Sequence, residues 1–436
     1  MSKIKNKKSL SIFKCALVTF VLLLACIQVL NFCLVDDERY QSRIMLHDFY
    51  NQDDVDTLFL GSSISYNSIN PLIIDENSDT ASFNMSSSSQ KLNVSYLYLQ
   101  EAIKEYDVNT VCLELNYGSQ KLTNKLDMDT SNMNAVNYLK PSIHKYLFKY
   151  TSTTPSNMIR FVIPAKRFDY ALLNPAKIIS NVKMKLSDDY RNCSFSAISD
   201  EEQEYTGKGH VDFYDSIDEK QLFEEKSNEK LVLNNDYWIH NLKKIKELCD
   251  ENEIRLIIYC APMPTYSLLS AGNYDEYVDY LKNITKELNL EYYDFNLIKE
   301  EYFDDSMSLF HDTIHMSKNG SETFSKVFSL ILNRDSKITD MFYDSFLEKM
   351  KSIDGKVYGV AYEKNSNNEL ECEIISNRDS SNFNVVYING ENLENRIDVS
   401  INNTFIIEDN NYGTFRISPS INEDFAQNEF TFCYSE

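Results

Sequence analysis

The spacing of apolar and polar positions changes several times along this chain, and each change marks a region. Residues 15–35 are an uncharged run broken only by Thr19, Gln28 and Asn31. A helix rising 1.5 Å per residue over that length crosses a hydrocarbon core of ~30 Å. Residues 36–53 read as a polar stalk. Short β-type runs then appear at 55–60, 81–85, 110–116, 254–261 and 291–295, alternating with helical patterns at 94–106, 236–251, 274–288 and 317–332. Leu242, Ile245 and Leu248 keep helical spacing in the second of these helices. The alternation predicts an α/β domain over 54–337, a parallel sheet with helices on both faces. Residues 134–234 interrupt it. They are rich in Tyr, Phe and Lys, with prolines at 141, 155, 164 and 175, and predict an inserted set of helices and loops. The insertion either shapes a cleft or covers the core. Gly207-Lys208-Gly209 marks a returning loop or hairpin. From 338 to 436 the runs are short, β-rich and separated by Asn, Asp, Ser and Gly, the pattern of a small β-sandwich or barrel.

Charge sharpens the reading of the first region. The opening 14 residues hold five lysines and no acid, in a chain of net charge −23. Lysines before the apolar run and Asp36, Asp37 and Glu38 after it predict a cytoplasmic tip at 1–14, a transmembrane anchor at 15–35 and a body outside the cell. A cleaved signal peptide and a lipid-modified start at Leu23-Leu24-Ala25-Cys26 are the alternatives. The apolar run outlasts both, and no small-x-small cleavage site follows it. The acidic body argues against nucleic acid as a partner. The nine cysteines form no CxxC or Cys/His cluster, so neither metal nor cofactor is expected; Cys372 with Cys433 is the pair to test for a disulfide.

The candidate chemistry lies at element boundaries. Val55–Leu60 ends in Gly61-Ser62-Ser63, a small-residue turn where open α/β sheets place active sites. Far along the chain, His311 and His315 bracket Asp312 just before a helix that Ser317 is suited to cap. A serine needs a base, a group that orients the base, and donors for the oxyanion. Asp312 three residues before His315 can reach one ring nitrogen while the other faces a cleft.

Asp312-x-x-His315 followed by Ser317 and Gly320 resembles the C-terminal block of the SGNH (GDSL-like) hydrolases. Gly61-Ser62-Ser63 resembles their first block, with Ser62 where Asp is common, a form shared with the DltD-like and polysaccharide O-acetyltransferase branches. The resemblance spans roughly 54–335 and implies a flavodoxin-like sheet. It also implies that Ser63 is the nucleophile, His315 the base and Asp312 its partner. Backbone N–H groups of Ser63 and of Ser86 or Ser87, with the Asn116 side chain, would form the oxyanion hole. The expected function is an extracytoplasmic serine esterase or O-acyltransferase acting on acylated cell-envelope polysaccharide or teichoic acid. The alternative is an inactive scaffold that binds envelope glycan or a membrane acyltransferase.

Overall fold

The computed structural model describes residues 2–117, 130–217, 222–226, 233, 236–304, 306–377, 383–388, 394–408, 412–419 and 429–434. Gly118 and parts of the expected insertion lie outside them. The chain divides into two compact units, residues 1–47 with 124–200 and residues 48–123 with 201–436.

In the second unit the strands are, in chain order, β1 (Thr57–Leu60), β2 (Ser82–Asn84), β3 (Thr110–Glu114), β4 (Gln203–Gly207), β5 (His210–Phe213), β6 (Phe223–Glu225), β7 (Arg255–Cys260) and β8 (Glu291–Asp294). Five of them form a wholly parallel sheet of order β2-β1-β3-β7-β8. This is a doubly wound arrangement, and its switch point falls between β1 and β3 at their carboxyl ends. β1 and β7 are near-continuous apolar runs because the central strands are covered on both faces. The helix Lys318–Leu332 buries Phe324, Phe328 and Ile331 at spacings of three and four, against a core that includes Phe59 and Phe295. The helix Asp236–Glu251 has the bounds its periodicity predicts. β4 and β5 form the hairpin expected after Gly207.

The remaining strands are β9 (Val357–Lys364), β10 (Leu370–Ser376), β11 (Phe383–Ile388), β12 (Glu394–Ile397), β13 (Thr404–Ile407), β14 (Gly413–Pro419) and β15 (Phe430–Tyr434). They build two sheets, β13-β10-β9-β6 and β12-β11-β14-β15. Val360, Cys372 and Phe405 of one sheet share a core with Phe383, Phe415 and Phe432 of the other, which makes a sandwich. Pairings among β9–β15 are antiparallel, but β6 joins β9 in parallel, with Phe223 stacked on Phe432 at 4.6 Å. Three residues with two glutamates carry no periodic signal, so this strand escapes sequence reading. Cys372 is buried, Cys433 is exposed, and both are free thiols.

In the first unit the helix Ser2–Leu34 contains an apolar stretch, Ile12–Leu34, long enough to cross a bilayer. The helices Thr130–Asn137, Ile143–Thr151, Pro155–Val162 and Pro175–Leu186 follow. Pro155 and Pro175 open their helices, where a missing N–H costs nothing. Residues 36–53 differ from the polar stalk expected of them. They contain the helix Gln41–Phe49, whose Ile44, Met45, Leu46 and Phe49 are buried. Asp37, read as a flanking charge, is buried and held by Tyr138 at 2.8 Å, Tyr190 at 3.0 Å and Lys185 at 3.2 Å.

Candidate active site

β1 delivers its last residue, Leu60, to the switch point, and the chain turns there through Gly61 into a short helix, Ser63–Ser68. The turn is close. A Cβ at Gly61 would stand 2.7 Å from Glu114 Cβ and 2.8 Å from Ser65 Cβ, so only glycine fits. Ser62 is the N-cap, its hydroxyl accepting from the Ile64 N–H at 3.3 Å. Ser63 is therefore the first helical residue, whose N–H has no intrahelical acceptor. The floor beneath is a buried polar network. Ser65 Oγ lies 2.9 Å from both Tyr259 Oη and Ser86 Oγ, and Asn84 Nδ2 donates to the Ser65 and Ile69 carbonyls at 3.0 and 3.1 Å.

The opposite side is the loop before the helix Lys318–Leu332. Ser317 caps that helix, accepting from the Gly320 N–H at 3.4 Å. The Leu309 carbonyl lies so close that a Cβ at Gly320 would be 2.0 Å from it. Ser317 N donates to that same carbonyl at 3.0 Å, and His311 N donates to the His315 carbonyl at 2.8 Å. The loop is thus pinned at both ends. His311 stacks on Phe213 with ring centroids 4.1 Å apart.

Across the two elements, His315 Nε2 lies 2.9 Å from Ser63 Oγ, and Nδ1 lies 2.8 Å from Asp312 Oδ2. The other carboxylate oxygen accepts from the Ile314 and His315 N–H groups, both at 2.7 Å. Burial opposes ionisation of Asp312, but the His315 ring and those two N–H groups outweigh it and hold its carboxyl at about 2. Asp312 is therefore an anion across the whole neutral range. The arrangement can move a proton from a serine hydroxyl to an imidazole whose other nitrogen is fixed by a carboxylate.

Ser63 and His315 face a cavity of about 1120 Å³. Its wall includes Glu114, Asn116, Tyr266, Glu276 and, from the β-sandwich side, Glu224, Lys226 and Ala361. Lys226 is ion-paired with Glu373, so acids dominate the lining. Burial and the nearby Asp312 charge raise the Glu224 carboxyl. Of the two expected oxyanion residues, Asn116 is on the wall. Its amide donates to Ser62 Oγ at 3.0 Å and to Glu114 Oε2 at 3.1 Å. Ser86 is fully buried in the floor network; Ser89 and Gln90 are what its segment contributes to the wall.

Glu114 is the site residue that sequence reading missed. Its one signal is an acid inside an apolar strand, directly before the Leu115-Asn116 end. It accepts from the Ser62 N–H at 3.4 Å and the Ser62 hydroxyl at 3.2 Å, while Oε1 is buried without a partner among the described residues. Burial dominates these hydrogen bonds and pushes the carboxyl up to about 7. The raised value means that the protonated form stabilises the fold. That contribution is complete below the ordinary carboxylate range and is lost as pH rises through about 7. Glu114→Gln is expected to remove about 2–3 kcal/mol of the stability difference between pH 5 and pH 8. Denaturant unfolding at the two pH values measures it; an unchanged difference in the variant refutes the assignment.

No family model matches the chain, and no curated protein matches it. Several solved structures are similar to it, and two serve as examples. One, assigned as an acylhydrolase from Bacteroides fragilis, is 9% identical; the match covers 65% of this chain and 89% of that one at a TM-score of 0.29. The other, a GDSL-like lipase from Bacteroides thetaiotaomicron, is 10% identical; the match covers 68% of this chain and 98% of that one at 0.31. The geometry, rather than this likeness, carries the functional reading.

Proposed function

We propose that this chain is a serine ester hydrolase or O-acyltransferase with Ser63 as nucleophile, His315 as general base and Asp312 as the group that orients the base and stabilises the imidazolium that forms. The observation that carries this reading is the continuous Ser63–His315–Asp312 chain of 2.9 and 2.8 Å contacts, opening on a cavity. His315 Nε2 takes the proton as Ser63 Oγ adds to an ester carbonyl. The tetrahedral intermediate collapses to an acyl-enzyme, and the alkoxide leaves with the proton from His315. Water or an acceptor hydroxyl, deprotonated by His315, then adds to the acyl carbonyl, and collapse breaks the bond to Ser63 Oγ, which takes the proton back from His315. The Ser63 N–H and the Asn116 amide are the proposed oxyanion donors, with Ser86 supporting the floor.

The acidic lining disfavours a phosphate-rich acceptor at the reacting centre and fits a neutral polyhydroxylated one. We therefore favour an acylated envelope glycan over teichoic acid. The reading of residues 12–34 as a single-pass anchor with the catalytic unit outside the cell belongs to the same proposal. A second reading, a scaffold without turnover, draws support from Asn116, whose amide nitrogen is already bonded to Ser62 Oγ and Glu114 Oε2.

A serine-directed fluorophosphonate separates the two. The full-length protein in detergent should be labelled, and peptide mapping should find the adduct on Ser63. A folded protein that takes no label at Ser63 leaves the scaffold reading standing.

A further inference from the structure

The helix Ile143–Thr151 is built inside out. Lys145 and Lys149, one turn apart, are 7% and 8% exposed. Ile143, Tyr146, Leu147 and Tyr150, at helical spacing on the other face, are 57% to 75% exposed. The buried lysines are satisfied by protein: Lys145 Nζ donates to the Asn137 and Leu139 carbonyls, and Lys149 Nζ to Asn137 Oδ1. The helix Pro175–Leu186 repeats the inversion, with Asn181 and Lys185 buried and Ile179 and Leu186 exposed. Leu173, between the two, is 90% exposed. Water is a poor solvent for such a surface, since exposed apolar faces of this kind mark a site of association.

What covers it is indicated by the company it keeps. These helices belong to the same compact unit as the apolar helix Ile12–Leu34: Pro175–Leu186 and the turn Pro164–Arg167 are fastened to its last turn, and Ile143–Thr151 joins that turn through the helix Pro155–Val162. The Ala165 N–H donates to Asn31 Oδ1 at 3.0 Å and Lys185 Nζ to the Asn31 carbonyl at 3.3 Å. Asn181 Nδ2 donates to the Cys33 and Leu34 carbonyls at 3.2 and 3.1 Å. Leu34 and Val35 pack with Ala165 and Ala171. If 23 residues fill a hydrocarbon core of ~30 Å, this last turn lies at its edge, and the attached helices lie at headgroup depth. Their charge fits that depth. Residues 130–186 hold nine Lys and Arg against one acid, Asp169, in a chain of net charge −23. Arg160, Lys166 and Lys183 are exposed beside the apolar positions.

We propose that the segment Ile143–Leu186 is an interfacial collar, seating its exposed Ile, Leu and Tyr side chains in an anionic lipid surface around the exit of the Ile12–Leu34 helix. It rests on the reading of residues 12–34 as membrane-spanning and is independent of ester chemistry. Tyr and Leu sit at the acyl boundary, and the exposed Arg and Lys reach anionic headgroups.

The test uses the full-length chain reconstituted in phosphatidylcholine vesicles with and without phosphatidylglycerol. Trp238 is changed to Phe, and single tryptophans are placed by Leu22→Trp, Leu173→Trp and Ile401→Trp. Lipids brominated on the acyl chain should quench residues 22 and 173, residue 173 more strongly when the bromines lie near the headgroup and residue 22 more strongly when they lie near the chain end, and leave 401 unquenched. Quenching at 173 should weaken when phosphatidylglycerol is omitted. Quenching at 22 without quenching at 173 overturns the collar. If the emission at 173 instead changes when the protein is diluted in lipid, a second copy covers the face and the lipid assignment is wrong. No quenching at 22 shows that residues 12–34 stay out of the bilayer, and both the anchor and the collar fall.

Discussion

Ser63→Ala is expected to lower kcat/KM for a small aryl acetate by about 10⁴-fold or more, with the fold unchanged. The nucleophile is an all-or-none component, because without Oγ no acyl-enzyme can form and only unassisted attack by water remains. The substitution is also structurally mild. Among the described residues the Ser63 side chain bonds His315 alone, while the helix cap is made by Ser62 and the floor by Ser65. Alanine is a good first-turn residue, so a loss of activity cannot be put down to unfolding. Ser62→Ala supplies the contrast. It removes the cap and the hydroxyl's hydrogen bonds with Glu114 and Asn116, and should cost about 1 kcal/mol of stability while retaining measurable turnover. Steady-state kinetics on both variants, with thermal melts alongside, makes the comparison. Hydrolysis by Ser63→Ala at the wild-type rate removes Ser63 from the mechanism.

The contrast between Asp312-His315 and Glu114 explains what was legible in the sequence. Asp312, His315, Ser317 and Gly320 lie within nine residues, and each has a local reason for its identity: an orienting carboxylate, a ring, a cap and a close carbonyl. Local reasons are readable. Ser63 is readable because a strand visibly ends at Gly61. Glu114 acts through Ser62, fifty-two positions away, and that contact exists only once β1 and β3 pair. The same limit hides β6, which is defined by its partner β9 and by no pattern of its own. The inside-out helices mislead in the opposite way. Their periodicity is strong, but period reveals only that two faces differ. Which face is buried depends on the solvent, and the spacing within residues 143–186 does not name it.

Asp312→Asn is expected to lower kcat by about 10³–10⁴-fold with little change in KM. The size of the effect follows from the two N–H groups that hold Asp312. Oδ1 accepts from Ile314 and His315, so in the variant the amide oxygen must take that place. Turning the amide over would set its NH₂ against two donors. The NH₂ is therefore left facing His315 Nδ1, which must then accept. The proton of the neutral ring moves to Nε2, the atom that has to receive a proton from Ser63. The variant thus keeps the geometry and reverses the tautomer. It also removes the anion that would stabilise the imidazolium formed during attack. Binding of substrate in the cavity draws on neither effect, so KM stays near its wild-type value. Loss of fluorophosphonate labelling rate in parallel with kcat would place the defect in nucleophile activation. Activity within tenfold of wild type would instead make Asp312 a turn-forming residue, leaving His315 to act without a carboxylate partner.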